Sequence, residues 1–263
     1  MRKYLVLLSI SWQNGFAYRA SVFLWRFRQF LSSFFSLTLW TILYQSTENS
    51  FGYTEDQMIA YIFITAVIQN LIVATALNGL TSTIYSGELS IFLVKPIGLF
   101  RALAVSEIAD KAKNLFFVII ESVILFAIFQ PHFLSIQPLH FMLGLGWILG
   151  GIGLTFFISL LFGAIGFWSP ESWGPRFLFF TFINFIGGKF FPLDLLPDLV
   201  QKFIWLTPFP FLSYAQSQLL LNRLSATEIM IGSLALLLWL GLLGSLTRLI
   251  WKIGLKDYAA MGQ

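Results

Sequence analysis

The chain has 263 residues, of which 57% are hydrophobic and 11% charged, with 30 Phe and 9 Trp. A soluble domain carries about a quarter charged residues, so this deficit and a mean hydropathy of +0.81 point to a polytopic membrane protein. The net charge of +4 is what Lys- and Arg-rich loops on one membrane face produce and calls for no nucleic acid, while the absence of Cys excludes disulfides, thiolate metal sites and thiol nucleophiles.

The first stretch, "MRKYLVLLSISWQNG", places Arg2 and Lys3 before an apolar run too short for a leader, and no small-x-small cleavage site follows. Leu5, Leu8, Trp12 and Phe16 recur at helical spacing, with Arg19 blurring the face. Residues 1–22 are therefore predicted to form an interfacial helix. Six apolar segments follow at spanning length or near it: Phe27–Tyr44, Met58–Leu80, Ala112–Gln130, Leu139–Trp168, Phe177 to about Leu199, and Ile229–Trp251. The second, fourth and sixth are uninterrupted; Glu121 interrupts the third, and Gly187, Gly188, Lys189 and Pro192 break the fifth. Lys and Arg total 16, and under this span count all but Lys189, Lys202 and Arg223 lie on one side. The positive-inside rule makes that side cytoplasmic, with both termini on it. The expectation is thus an all-α membrane protein, one transmembrane domain over 1–263, in the cell (inner or plasma) membrane.

Catalytic signatures do not emerge. There is no G-x-x-x-x-G-K-[ST] phosphate loop, no H-E-x-x-H and no G-x-S-x-G, and the two histidines, His132 and His140, read as local hydrogen-bonding groups. The chain is not expected to be an enzyme or to bind a cofactor or metal itself. Glu121 carries a carboxylate into a span, which is costly unless the group is protonated, paired or facing a wet cavity. It could contact a cationic cargo, accept a proton, or simply hydrogen-bond Gln69, Asn70 or Asn184. Gly146 and Gly150, four apart, predict a close helix contact. Residues 187–214 hold Pro192, Pro197, Pro208 and Pro210, which forbid one helix. A broken or re-entrant pathway segment and an amphipathic loop dipping into headgroups are the two readings. Residues 85–103, "YSGELSIFLVKPIGLFRAL", place Leu89, Phe92, Leu93, Phe100 and Leu103 within one helical sector and end their first helix before Pro96. That stripe must meet either lipid headgroups or a protein.

The order of these features resembles the permease subunit of type-2 ABC exporters. The resemblance rests on Gly87-Glu88 and Lys95-Pro96 after the second span. It rests further on Gly188, Pro192, Leu196-Pro197 and Pro208 after the fifth, and on the tail "GLKDYAAMGQ". It implies a permease that dimerises with itself or a relative and binds a separate cytoplasmic ATPase subunit, which carries the ATP. It further implies a coupling segment at Gly87, Glu88, Phe92, Lys95 and Pro96, and an outer gate at Gly187, Gly188, Lys189, Pro192 and Pro197. Glu121, Arg26 and Arg28 match no motif position. The apolar, aromatic-rich interior favours a hydrophobic or amphiphilic cargo. The alternatives are a secondary transporter or channel coupled to protons through Glu121, and a membrane assembly factor that transports nothing.

Overall fold

The computed structural model describes residues 2–17, 19–46, 52–94, 98–132 and 137–258, and every regular element among them is helical. Helix α1 (Arg2–Ala17) leads into α2 (Arg19–Ser46), which contains the first predicted span. Helix α3 (Glu55–Ile72) begins at a capping box: Thr54 Oγ1 accepts from the Gln57 amide while the Gln57 side chain accepts from the Thr54 amide. Glu55 and Asp56 add negative charge to that first turn, where the helix dipole favours it.

The predicted second span does not run unbroken to Leu80. It stops at Ile72; Thr75 is extended and caps the Leu77 amide with its hydroxyl, and a 3-10 turn (Ala76–Gly79) leads into α4 (Leu80–Tyr85) at a bend of 58°. A buried lysine makes the break tolerable. Lys111 Nζ donates to the Ile72 carbonyl at 2.6 Å and to that of Ala74, satisfying groups that a helix end leaves unpaired.

The five-residue α5 (Leu89–Leu93) precedes α6 (Leu99–Phe129), which begins well before the predicted third span and ends at its boundary, and α1 lies along it, with Ser11 and Ser106 hydroxyls 3.2 Å apart. Helix α7 (Pro138–Ala164) continues through a 3-10 turn to Phe167. Helix α8 (Trp173–Ile186) has 14 residues, hence a length of about 21 Å against a hydrocarbon core of about 30 Å. The helix of the fifth predicted span ends at Ile186, beside the glycines predicted to break it. After α8 come α9 (Asp198–Trp205), α10 (Tyr214–Leu220) and the long α11 (Ala226–Asp257), which starts at a second capping box, Ser225 with Glu228.

Helix α3 is the hub: it is buried along almost its whole length and packs against α2, α6, α7 and α10. Helices α7 and α11 lie together along glycines. A Cβ on Gly150 would sit 2.6 Å from Leu236 and one on Gly153 2.9 Å from Leu240, while Gly163 makes the same close approach to Leu80 of α4 at 2.5 Å. Gly146, predicted to share that contact, faces open space. A second cluster joins Leu77, Leu80, Ile84, Leu89, Leu103 and Trp251. Helices α6, α11 and the α7 stretch through Phe167 are each long and apolar enough to cross a bilayer, and the bent α3–α4 pair makes a fourth candidate. Their outward faces present Ile119, Val123, Leu149, Leu234 and Leu237, which require lipid or a partner.

Candidate functional site

Two interruptions of the helical bundle carry the residues singled out above. The first follows α4. Gly87 turns the chain at φ +84, a left-handed conformation that side chains resist, and its carbonyl accepts from the amide and hydroxyl of Ser90. Glu88 then opens α5 and is exposed. The predicted apolar stripe is split by the fold. Leu89 and Leu103 are buried in the second cluster and Phe92 packs against it, whereas Leu93 and Phe100 keep substantial exposure. Five residues make little more than one turn, so once Leu89 anchors α5 its outer side is Ile91, Leu93 and Val94. Lys95 and Pro96 lie outside the described residues.

The second interruption starts at the end of α8. Gly187 forms the C-cap, and its carbonyl accepts from the Tyr214 amide at 3.0 Å and from Ser213 Oγ at 2.6 Å. Gly188 has φ +81 and its carbonyl accepts from Tyr61 Oη at 2.6 Å. Pro192 stands at the entry to a 3-10 turn, Leu193–Leu195, and Pro197 at the entry to α9. Helix α9 exposes Leu199, Phe203 and Leu206, whereas α10 is buried throughout except at its partly buried last residue, Leu220. Around Asp194 a polar cluster closes over the end of α3. Tyr53 Oη donates to Asp194 Oδ2 at 2.7 Å, Gln218 donates to Tyr53 Oη at 2.7 Å, and the Arg223 guanidinium lies 3.7 Å from the Tyr53 ring centroid. Burial first, and then the hydrogen bond to Asp194, hold the Tyr53 phenol well above its usual pKa. Lys189, which the resemblance assigns to the outer gate, is 5% exposed and lines a cavity with Arg28 and Asn184.

Glu121 faces Arg26 across α6 and α2, with Oε1 2.9 Å from Nε. The guanidinium also lies near Asn114 and within 5.5 Å of the Trp25 and Phe117 ring centroids. The uncharged partners considered for Glu121 are engaged elsewhere: Gln69 donates to Asn184, and Asn70 accepts from Gln29. Sequence reasoning noted Arg26 and Glu121 separately, and no spacing signal joins residues on distant helices. His132 pairs with Asp56 and His140 with Asn222, so the two imidazoles serve different partners. Among the described residues no group of three His, Asp or Glu side chains could hold a metal.

A family model described as "ABC-2 family transporter protein" matches residues 30–262, covering both interruptions and all helices from α3 onward. No curated protein matches the chain.

Proposed function

The chain belongs to the ABC-2 transporter family, and from that premise we propose that this multi-pass membrane permease is the transmembrane half of an ATP-driven exporter. It pairs with a second permease chain and with a separate ATPase subunit that binds and hydrolyses ATP. In this reading α2, the α3–α4 pair, α6, α7, α8 with its return through α10, and α11 make six passages of the cell membrane. The cation-rich side, both termini and α5 then face the cytoplasm. Residues 187–214, tied to α3 through Tyr61 and Tyr53, form the outer gate, and cargo leaves the cytoplasm or inner leaflet.

The observation that carries the reading is α5. A short helix anchored by the fully buried Leu89 presents Glu88, Ile91, Leu93 and Val94 outward on the cation-rich side. That is a small, rigid, partly apolar knob fixed to the same cluster as α4 and α11, suited to passing a push from a docked protein into the bundle. Arg26 gives Glu121 a counter-charge within the chain, so the carboxylate is accounted for without a cargo cation, which weighs against reading it as a cargo contact. The tagged full-length chain purified from native membranes is expected to bring with it a P-loop ATPase and vanadate-sensitive hydrolysis. Leu93→Asp and Glu88→Lys should cut that association about tenfold or more while the permease stays monodisperse. If the chain purifies alone, or the variants retain the ATPase like wild type, α5 is only a surface anchor.

A further inference from the structure

We propose that the cavity beside α8 binds the acidic headgroup of an amphiphile, such as a phosphate or carboxylate, with the apolar body lying along the aromatic face of that helix. This rests on the permease reading, under which an acidic amphiphile becomes the cargo class. The cavity measures about 610 Å³ and runs between α2, the α3–α4 break and α8. Three cations line it, Arg28, Arg176 and Lys189, and among the described residues no carboxylate does. Lys189 is 5% exposed, no described residue forms an ion pair with it, and Arg28 faces it with like charge. Arg176 is also buried; one of its terminal nitrogens donates to the Leu77 and Asn78 carbonyls, and the other, Nη2, has no hydrogen-bond partner among the described residues. Glu107, the carboxylate whose field reaches Arg176, is committed to Lys111 and to the Thr75 hydroxyl.

A buried cation costs several kcal/mol unless a counter-charge or polar groups satisfy it, and two facing each other cost more. Among the other described residues the buried cations each have a carboxylate partner: Arg26 pairs with Glu121, and Lys111 with Glu107 and two carbonyls. The exception lies where a ligand's anion would complete the pairing. The ligand is an amphiphile because of the surroundings. Trp173, Phe177 and Phe180 recur on the cavity face of α8, and Trp173 and Phe177 stay largely exposed, offering a side exit for an apolar tail.

The test is native mass spectrometry of the purified full-length chain titrated with dioleoyl phosphatidate, dioleoyl phosphatidylcholine or inorganic phosphate. Phosphatidate should bind saturably and at least about tenfold tighter than phosphatidylcholine, with Lys189→Met and Arg28→Gln each losing that preference and Lys189→Arg keeping it. Lys189→Met should melt no lower than wild type, since it removes an unmatched buried charge, so lost binding will not reflect misfolding. Equal binding of the two lipids, or phosphatidate binding unaffected by both substitutions, would overturn the site. Inorganic phosphate competing as well as phosphatidate would assign the cavity to a soluble anion and overturn the amphiphile. In the ATPase complex, phosphatidate should stimulate hydrolysis in wild type and not in Lys189→Met; binding without stimulation would overturn the cargo assignment. Failure of lipid binding with the ATPase still associated rejects this inference alone, and loss of the ATPase with lipid binding intact rejects only the exporter reading.

Discussion

Gly188→Ala is the sharpest test of how the second interruption is built. The residue sits at φ +81, where a side chain costs about 1–2 kcal/mol. The added Cβ would stand 2.7 Å from Tyr61 Oη and 2.9 Å from Tyr214 Cβ, and overpacking of that kind costs about 1–3 kcal/mol. Shifting Tyr61 away would also forfeit its 2.6 Å hydrogen bond to the Gly188 carbonyl, a further ~1 kcal/mol. The total of about 3–6 kcal/mol is a large share of the 5–15 kcal/mol that holds a domain folded. By the scaling for a chain of this size it lowers Tm by at least about 6 °C. Intrinsic tryptophan fluorescence of the purified full-length chain in detergent reports the melt. Gly241→Ala is the control, because a Cβ there meets nothing within 4 Å and Ala is favoured over Gly in a helix by about 0.5–1 kcal/mol. If Gly188→Ala and Gly241→Ala melt together, the account of the turn is wrong.

Arg26→Met should destabilise by about 3–5 kcal/mol because it strands Glu121 in the bundle, and adding Glu121→Leu should restore most of the loss; thermal melts of the single and double variants decide this. Lys111→Met should be comparably harmful, since Glu107 and the Ile72 carbonyl lose their cation, and Glu107→Gln should rescue it in part, read by the same melts. The Tyr53 phenol keeps its proton in the folded protein above the pH of about 10 at which an unfolded tyrosine loses it. Its contribution to stability is therefore full and independent of pH below about pH 10, and stability falls as pH rises beyond it, more steeply in wild type than in Tyr53→Phe. Chemical denaturation at pH 8 and at pH 10.5 for both proteins tests the sign.

Hydropathy alone determined that this is a helical membrane protein. Residues 112–130, 139–168 and 229–251 are apolar over enough length that burying their peptide groups as helices in lipid is the main option physics leaves. The motif order around Gly87-Glu88 and Gly188–Pro208 was local enough to identify the family and the two interruptions, because left-handed turns and prolines announce themselves in one dimension. Where helices stop was decided elsewhere. The chain breaks after Ile72 because Lys111, from α6, can cap the exposed carbonyls, and α5 turns Leu89 and Phe92 inward because Leu80, Leu103 and Trp251 wait there. Charges followed the same rule. The sequence showed that Glu121 would be costly inside a membrane, and only the packing of α2 against α6 supplied Arg26 to it, while the fold left Lys189, beside Arg28, without an anion. Solvation cost is a property of the residue, whereas its compensation depends on which distant side chain the fold brings within reach.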